Sequence, residues 1–79
     1  PAGVHLGRYY SNGESGEKWA VRQIVDESPS ADPAKDQVIY RTVAGPRRRE
    51  SGVMSRSEFA RWARYEVTRH GQGWKRATA

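Results

Sequence analysis

Read as a sequence, the chain is mainly β with a C-terminal helix (α+β), forming a small, strongly bent antiparallel sheet or a partly open barrel. Three observations predict this. Runs rich in β-branched and aromatic residues, "VHLGRYY", "KWAVRQIVDE" and "QVIYRTV", come early and are divided by clusters of Gly, Asn, Ser and Pro. Consecutive strands joined by such turns pair antiparallel. One capped helical pattern follows them and is available to cover an open side of the sheet. At 79 residues there is room for one domain, expected over residues 4–70, with a flexible tail at 71–79.

In chain order, Val4, Leu6, Arg8 and Tyr10 recur at period two and predict the first strand. Asn12-Gly13 opens "SNGESGE" and supplies a residue pair that tolerates positive φ, hence a hairpin turn. In "KWAVRQIVDE", Trp19, Val21 and Val25 share one face, which Gln23 interrupts, and Ala20, Arg22 and Ile24 share the other. The aromatic and β-branched content favours a strand. "SPSADPAKD", residues 28–36, has two prolines and little apolar content, so it reads as a loop that is long for a hairpin connection. "QVIYRTV" predicts a strand over 37–43, "AGPRRRES" a turn and "GVMS" a short fourth strand.

The helix is expected over 56–70. Ser55 with Glu58 three residues on has the capping-box spacing, in which the hydroxyl and the carboxylate each satisfy a free backbone N–H. At about 100° per residue, Phe59, Ala63 and Val67 fall on one face with Trp62 at its edge, while Arg61, Arg64 and Thr68 lie opposite. Glu66 falls inside the apolar arc. An ionised carboxylate buried alone is costly, so it is expected at the rim, paired with Arg69, His70 or a strand arginine. Gly71 is expected to stop the helix. Trp74 is the tail's one anchor, able to dock back on the domain.

Composition narrows the function classes. No run of about 18 apolar residues exists to span a membrane. The N-terminal "PAGVHLGRYY" has neither the charged start nor the apolar stretch of a signal peptide, so a soluble cytoplasmic chain is expected. The absence of cysteine fits a reducing compartment. His5 and His70 are the only histidines, and neither has ligand-spaced neighbours for a metal. There is no G-x-S-x-G elbow, and "GESGEK" lacks the spacing of a phosphate-cradling loop. No enzyme activity and no cofactor are therefore expected; a small enzyme using Glu66 and a tyrosine ranks last.

The charge is unevenly placed. Residues 1–40 carry four basic and six acidic side chains, net −2, whereas residues 41–79 carry ten basic and three acidic, net +7. In the second half every basic residue except Lys75 is arginine, whose planar fork suits phosphates and stacks on rings. Arg47, Arg48 and Arg49 repel one another in a turn, a repulsion that a phosphate backbone relieves. Arg22 and Arg41 sit inside expected strands near Trp19 and Tyr40, a basic and aromatic mixture suited to tracking phosphates and stacking bases. Solvated turn charges for the arginine run, and core positions for Trp19 and Tyr40, account for the same residues without a ligand.

The spaced residues Gly7-x-Tyr9, Trp19-x-Val21, Val38-x-Tyr40-Arg41, Gly52-Val53-Met54-Ser55 and Glu58-Phe59 resemble an uncharacterised bacterial family of short SH3-like barrel domains. The resemblance spans roughly residues 7–62 and implies an SH3-like barrel but no activity. The chain departs from that pattern in a longer 28–36 loop and a terminal helix extended to His70. The expectation for function is a non-enzymatic binding module that contacts DNA or RNA through a basic face made by Arg22, Tyr40, Arg41, Arg47, Arg48, Arg49, Arg61 and Arg64. The alternative is a protein-interaction or assembly domain that takes a peptide or a second copy of the chain.

Overall fold

The computed structural model describes residues 3–77. Six antiparallel strands form one open sheet in the order β4-β3-β2-β1-β5-β6. The strands are β1 (Tyr9–Ser11), β2 (Val21–Ser28), β3 (Gln37–Ala44), β4 (Ser51–Ser55), β5 (Tyr65–His70) and β6 (Gly73–Arg76). Among the described residues one α-helix, α1 (Arg56–Trp62), joins β4 to β5, and short 3-10 turns occupy Gly16–Lys18 and Pro33–Lys35. The mainly β class with one helix is as the sequence predicts. The short β1 pairs with both β2 and β5, so it joins the two halves of the sheet.

The first strand is shorter than its period-two pattern suggests. Val4 is buried and Leu6 exposed, and Gly7 at φ 82 breaks the extended run before it reaches Tyr9. β3 matches its expected segment closely, whereas β2 begins at Val21, three residues into "KWAVRQIVDE". Their pairing shifts register between Val21 and Arg22 and between Ile24 and Asp26. These bulges increase local twist and re-aim the flanking side chains, and Val25 is left exposed at the second.

The helix does not run to His70, which corrects the expected span 56–70. Ser55 caps it as predicted, its hydroxyl accepting from the Glu58 N–H at 3.1 Å. It ends at Trp62, and the Arg64 N–H donates to the Ser11 carbonyl at 2.7 Å. Residues 65–70 then run extended, with Tyr65, Val67 and Arg69 on one face of β5 and Glu66, Thr68 and His70 on the other. Ladder bonds to β1 and the burial of Val67 outweigh the helical spacing that links Val67 to Phe59. Gly71 is therefore not a helix stop. It is the first residue of a two-residue turn, with His70 opposite Gly73 and φ 60 at Gly71, the conformation that glycine supplies in such hairpins. The expected flexible tail is likewise corrected: residues 73–76 are β6, and Trp74 docks on Tyr9 with ring centroids 5.0 Å apart. Thr78 and Ala79 of that tail lie outside the described residues.

Two apolar clusters hold the sheet, one on each face. Under α1, Val4, Tyr10, Ile24, Val38, Phe59 and Ala63 are buried together, with Tyr40, Met54, Ala60 and Trp62 against them. Phe59 is at the centre, edge-on to Tyr10 at 5.7 Å and close to Tyr40 and Trp62. Across the sheet, Val21, Ala44 and Val67 are buried beneath Tyr9, Trp19, Val43, Tyr65 and Trp74. Arg56 ties the start of α1 to the rest, donating to the Val4 carbonyl at 2.8 Å and pairing with Glu27 at 2.6 Å.

Candidate nucleic-acid interface

The predicted basic residues do not gather on one face; the sheet divides them. Gln23 pairs with Arg41, and Arg22 with Thr42. Since neighbouring positions along a strand face opposite ways, Arg22 and Arg41 stand on opposite faces rather than side by side. Arg41 shares its face with Tyr9, Gln23 and Val67.

On that face Arg41, Arg48, Arg49 and Arg69 line a recess of about 420 Å³ together with Gln23, Thr42 and Val43. A second recess of about 240 Å³ adjoins it, sharing Val43, Arg48 and Arg69 and walled by Trp19 and Trp74. No carboxylate lines either recess. Among the described residues the ion pairs are Arg8–Glu66 and Arg56–Glu27, so these four guanidinium groups have no acidic side chain in contact. The site is a basic cleft that ends between aromatic rings.

The 45–50 turn supplies two of its arginines through a specific backbone path. Arg48 N–H donates to the Gly45 carbonyl, Arg49 N–H to Thr42 and Glu50 N–H to Arg47. Gly45 has φ 100, and a side chain there would collide with the Trp19 carbonyl, so glycine lets the turn lie against the Trp19 segment. Arg49 has φ 80, the only positive value at a non-glycine among the described residues. That left-handed conformation costs an L-residue about 1–2 kcal/mol, and it occurs at a residue lining the cleft. Arg69 is held by its own bond, Nε donating to the Gly71 carbonyl at 3.2 Å, and lies 5.9 Å from the Trp74 ring centroid.

Arg22 is placed quite differently. Its guanidinium lies between the rings of Tyr40 and Trp62, 4.2 Å from each centroid, and one terminal nitrogen donates to the Met54 sulfur at 3.4 Å. Its Nε is buried without a protein partner. Burial pushes the guanidinium below its ordinary pKa, opposed by the nearby Tyr40 and Glu50. Such a cation held between rings acts as packing, and Tyr40 is engaged with it rather than presented to the cleft.

The remaining predicted arginines lie elsewhere. Arg47 lines a recess with Lys18, Arg22, Trp19, Trp62 and the acidic Glu17. Arg61 and Arg64 line another with Asn12, Gly13, Trp62 and Glu14. The structure thus brings together Arg41, Arg48 and Arg49 from the expected set and adds Arg69, which sequence reasoning missed as a site residue by placing it on the helix. Its signal was the alternation Tyr65, Val67, Arg69 before Gly71-Gln72-Gly73.

Glu66 is at the rim of a contact as expected, and of the expected partners it takes an arginine of the first segment, Arg8, which immediately precedes β1, at 3.2 Å. Among the described residues no group of three or more His, Cys, Asp or Glu could hold a metal ion, and no helix is long and apolar enough to cross a membrane. No family model, curated protein or solved structure matches the chain.

Proposed function

We propose that this chain is a non-enzymatic binding module whose cleft of Arg41, Arg48, Arg49 and Arg69 takes the phosphates of DNA or RNA. One observation carries the reading: four guanidinium groups from β3, β5 and the 45–50 turn line one recess free of carboxylates. Like charges held together at a strain cost are relieved by a polyanion that releases its counterions on binding. The double pairing of β1, with β2 and β5, supports the SH3-like kinship as part of the same proposal. A cytoplasmic setting belongs to it too, with which the cysteine-free composition is compatible, and a bacterial source enters only with the family resemblance.

Fluorescence anisotropy with a labelled oligonucleotide tests the reading. With about four phosphate contacts to a single strand, affinity falls about 50-fold between 50 and 200 mM salt. Absence of binding at low salt refutes it.

A second reading has one observation in its favour. β4 is an edge strand, and its Val53 is 57% exposed opposite Ile39. An uncovered edge with an apolar side chain can accept a strand from a peptide or a second copy. Light scattering showing a dimer that Val53→Lys dissociates supports that reading over the first.

A further inference from the structure

Building on the nucleic-acid reading, we infer that the cleft takes an unpaired strand, with its phosphates along Arg41, Arg48 and Arg49 and a base against Trp19 and Trp74. The arginine recess alone suits any polyanion. The adjoining recess adds flat rings: Trp19 and Trp74 stand over Val43 and Ala44 and share Arg48 and Arg69 with the phosphate side. At about 240 Å³ it falls below the roughly 300–1,000 Å³ of sites for drug-sized ligands, which leaves room for one ring system rather than an extended one.

A duplex keeps its bases stacked on each other and offers the rings nothing to cover. An unpaired strand offers a base face at every nucleotide, and stacking on an aromatic side chain does not depend on which base it is. The chemistry at the two ends of the cleft therefore matches the two halves of a nucleotide. Both indoles are only half-buried, and Trp74 packs against Tyr9 in a tilted arrangement at 5.0 Å, with Arg69 5.9 Å from its ring centroid. The strand meets a ring already ordered, so little side-chain entropy is lost on stacking.

The test compares three probes: an oligothymidylate, a mixed-sequence duplex of equal length, and heparin, an anion without bases. Each is titrated against the wild type, Trp74→Ala, Trp74→Phe and Arg48→Ala/Arg49→Ala, with folding checked by circular dichroism. The inference expects Trp74→Ala to weaken the oligothymidylate about tenfold while changing duplex and heparin by less than about twofold, and Trp74→Phe to restore most of the loss. Equal losses for all three probes, no loss for any, or tighter duplex binding overturns it. If all three probes bind in a salt- and arginine-dependent way but ignore Trp74, the base contact fails and the polyanion reading stands. If none binds, both fall. Should Trp74→Ala not fold, Trp62→Phe leaves Trp19 and Trp74 as the remaining indoles. Quenching of that variant by the oligothymidylate but not by heparin supports the contact; equal quenching by both, or none, overturns it.

Discussion

Arg41 on β3 and Arg69 on β5 line one recess although β2 and β1 lie between their strands in the sheet. Arginine side chains on one face span the gap, and the bulges in the β2–β3 pairing add local twist between them. The basic face is thus a product of strand order and register, and joins Arg41 and Arg69 from positions 28 residues apart in the chain.

Arg22 is a structural residue in this arrangement. Arg22→Ala removes two ring contacts and the packed stem, and is expected to destabilise the fold by about 2 kcal/mol or more in urea titrations. Arg22→Met, which refills the space without a charge, recovers a large part of that. Oligonucleotide affinity of the folded Met variant is unchanged, since Arg22 does not line the cleft. A selective loss of binding in that variant would return Arg22 to the interface.

Arg49 gives the opposite pattern. At φ 80 it is strained, and glycine adopts that conformation freely. Arg49→Gly is expected to leave stability unchanged or raise it by up to about 1 kcal/mol, while removing one guanidinium from the cleft and weakening anion binding. Denaturation and anisotropy on the same preparation check both signs. Falling stability would mean that the side chain, not its backbone, dominates at this position.

Glu66 was the carboxylate closest to suggesting chemistry. In the structure it faces Arg8, whose side chain is 58% exposed against 27% for Glu66. Solvent screens such a pair, and Glu66→Gln is expected to change stability by less than about 1 kcal/mol. A much larger loss in thermal melts would show that the pair anchors β5 to the N-terminal segment.

Tyr10 sets a limit at alkaline pH. Burial raises its pKa above the ordinary 10.0, outweighing the lowering effect of the His5 N–H that donates to its oxygen at 2.8 Å. The folded chain therefore holds this proton more tightly than the unfolded chain. The stabilisation is complete at neutral pH and is lost as pH climbs through 10.0 toward the folded value. Urea titrations across that range should show a steeper decline for the wild type than for Tyr10→Phe. Equal slopes would assign the alkaline loss to other groups.

Much of this fold was legible locally. β2, β3 and β4, the Ser55 cap and the buried Phe59 follow from side-chain alternation, β-branching and capping chemistry. The residues after Trp62 misled because Phe59, Ala63 and Val67 also satisfy a helical period, and only pairing with the short β1 decides against it. Nothing local to 65–70 encodes that partner. The site was partly legible for the same reason. Arginine clustering marks Arg48 and Arg49, and their chemistry requires an anion or solvent. The face each strand arginine takes depends on register, which put Arg41 in the cleft and Arg22 between two rings. Arg69 joined them only once its segment became a strand.

The most direct test of the account is the salt dependence of oligonucleotide affinity in two double variants. Arg41→Ala/Arg69→Ala is expected to reduce the slope of log affinity against log salt by about 1.4 and to weaken binding. Arg61→Ala/Arg64→Ala, which alters the recess beside Glu14, is expected to leave the slope unchanged. A slope that falls equally in both variants, or falls only in the second, would contradict a phosphate-binding cleft on the Arg41 face.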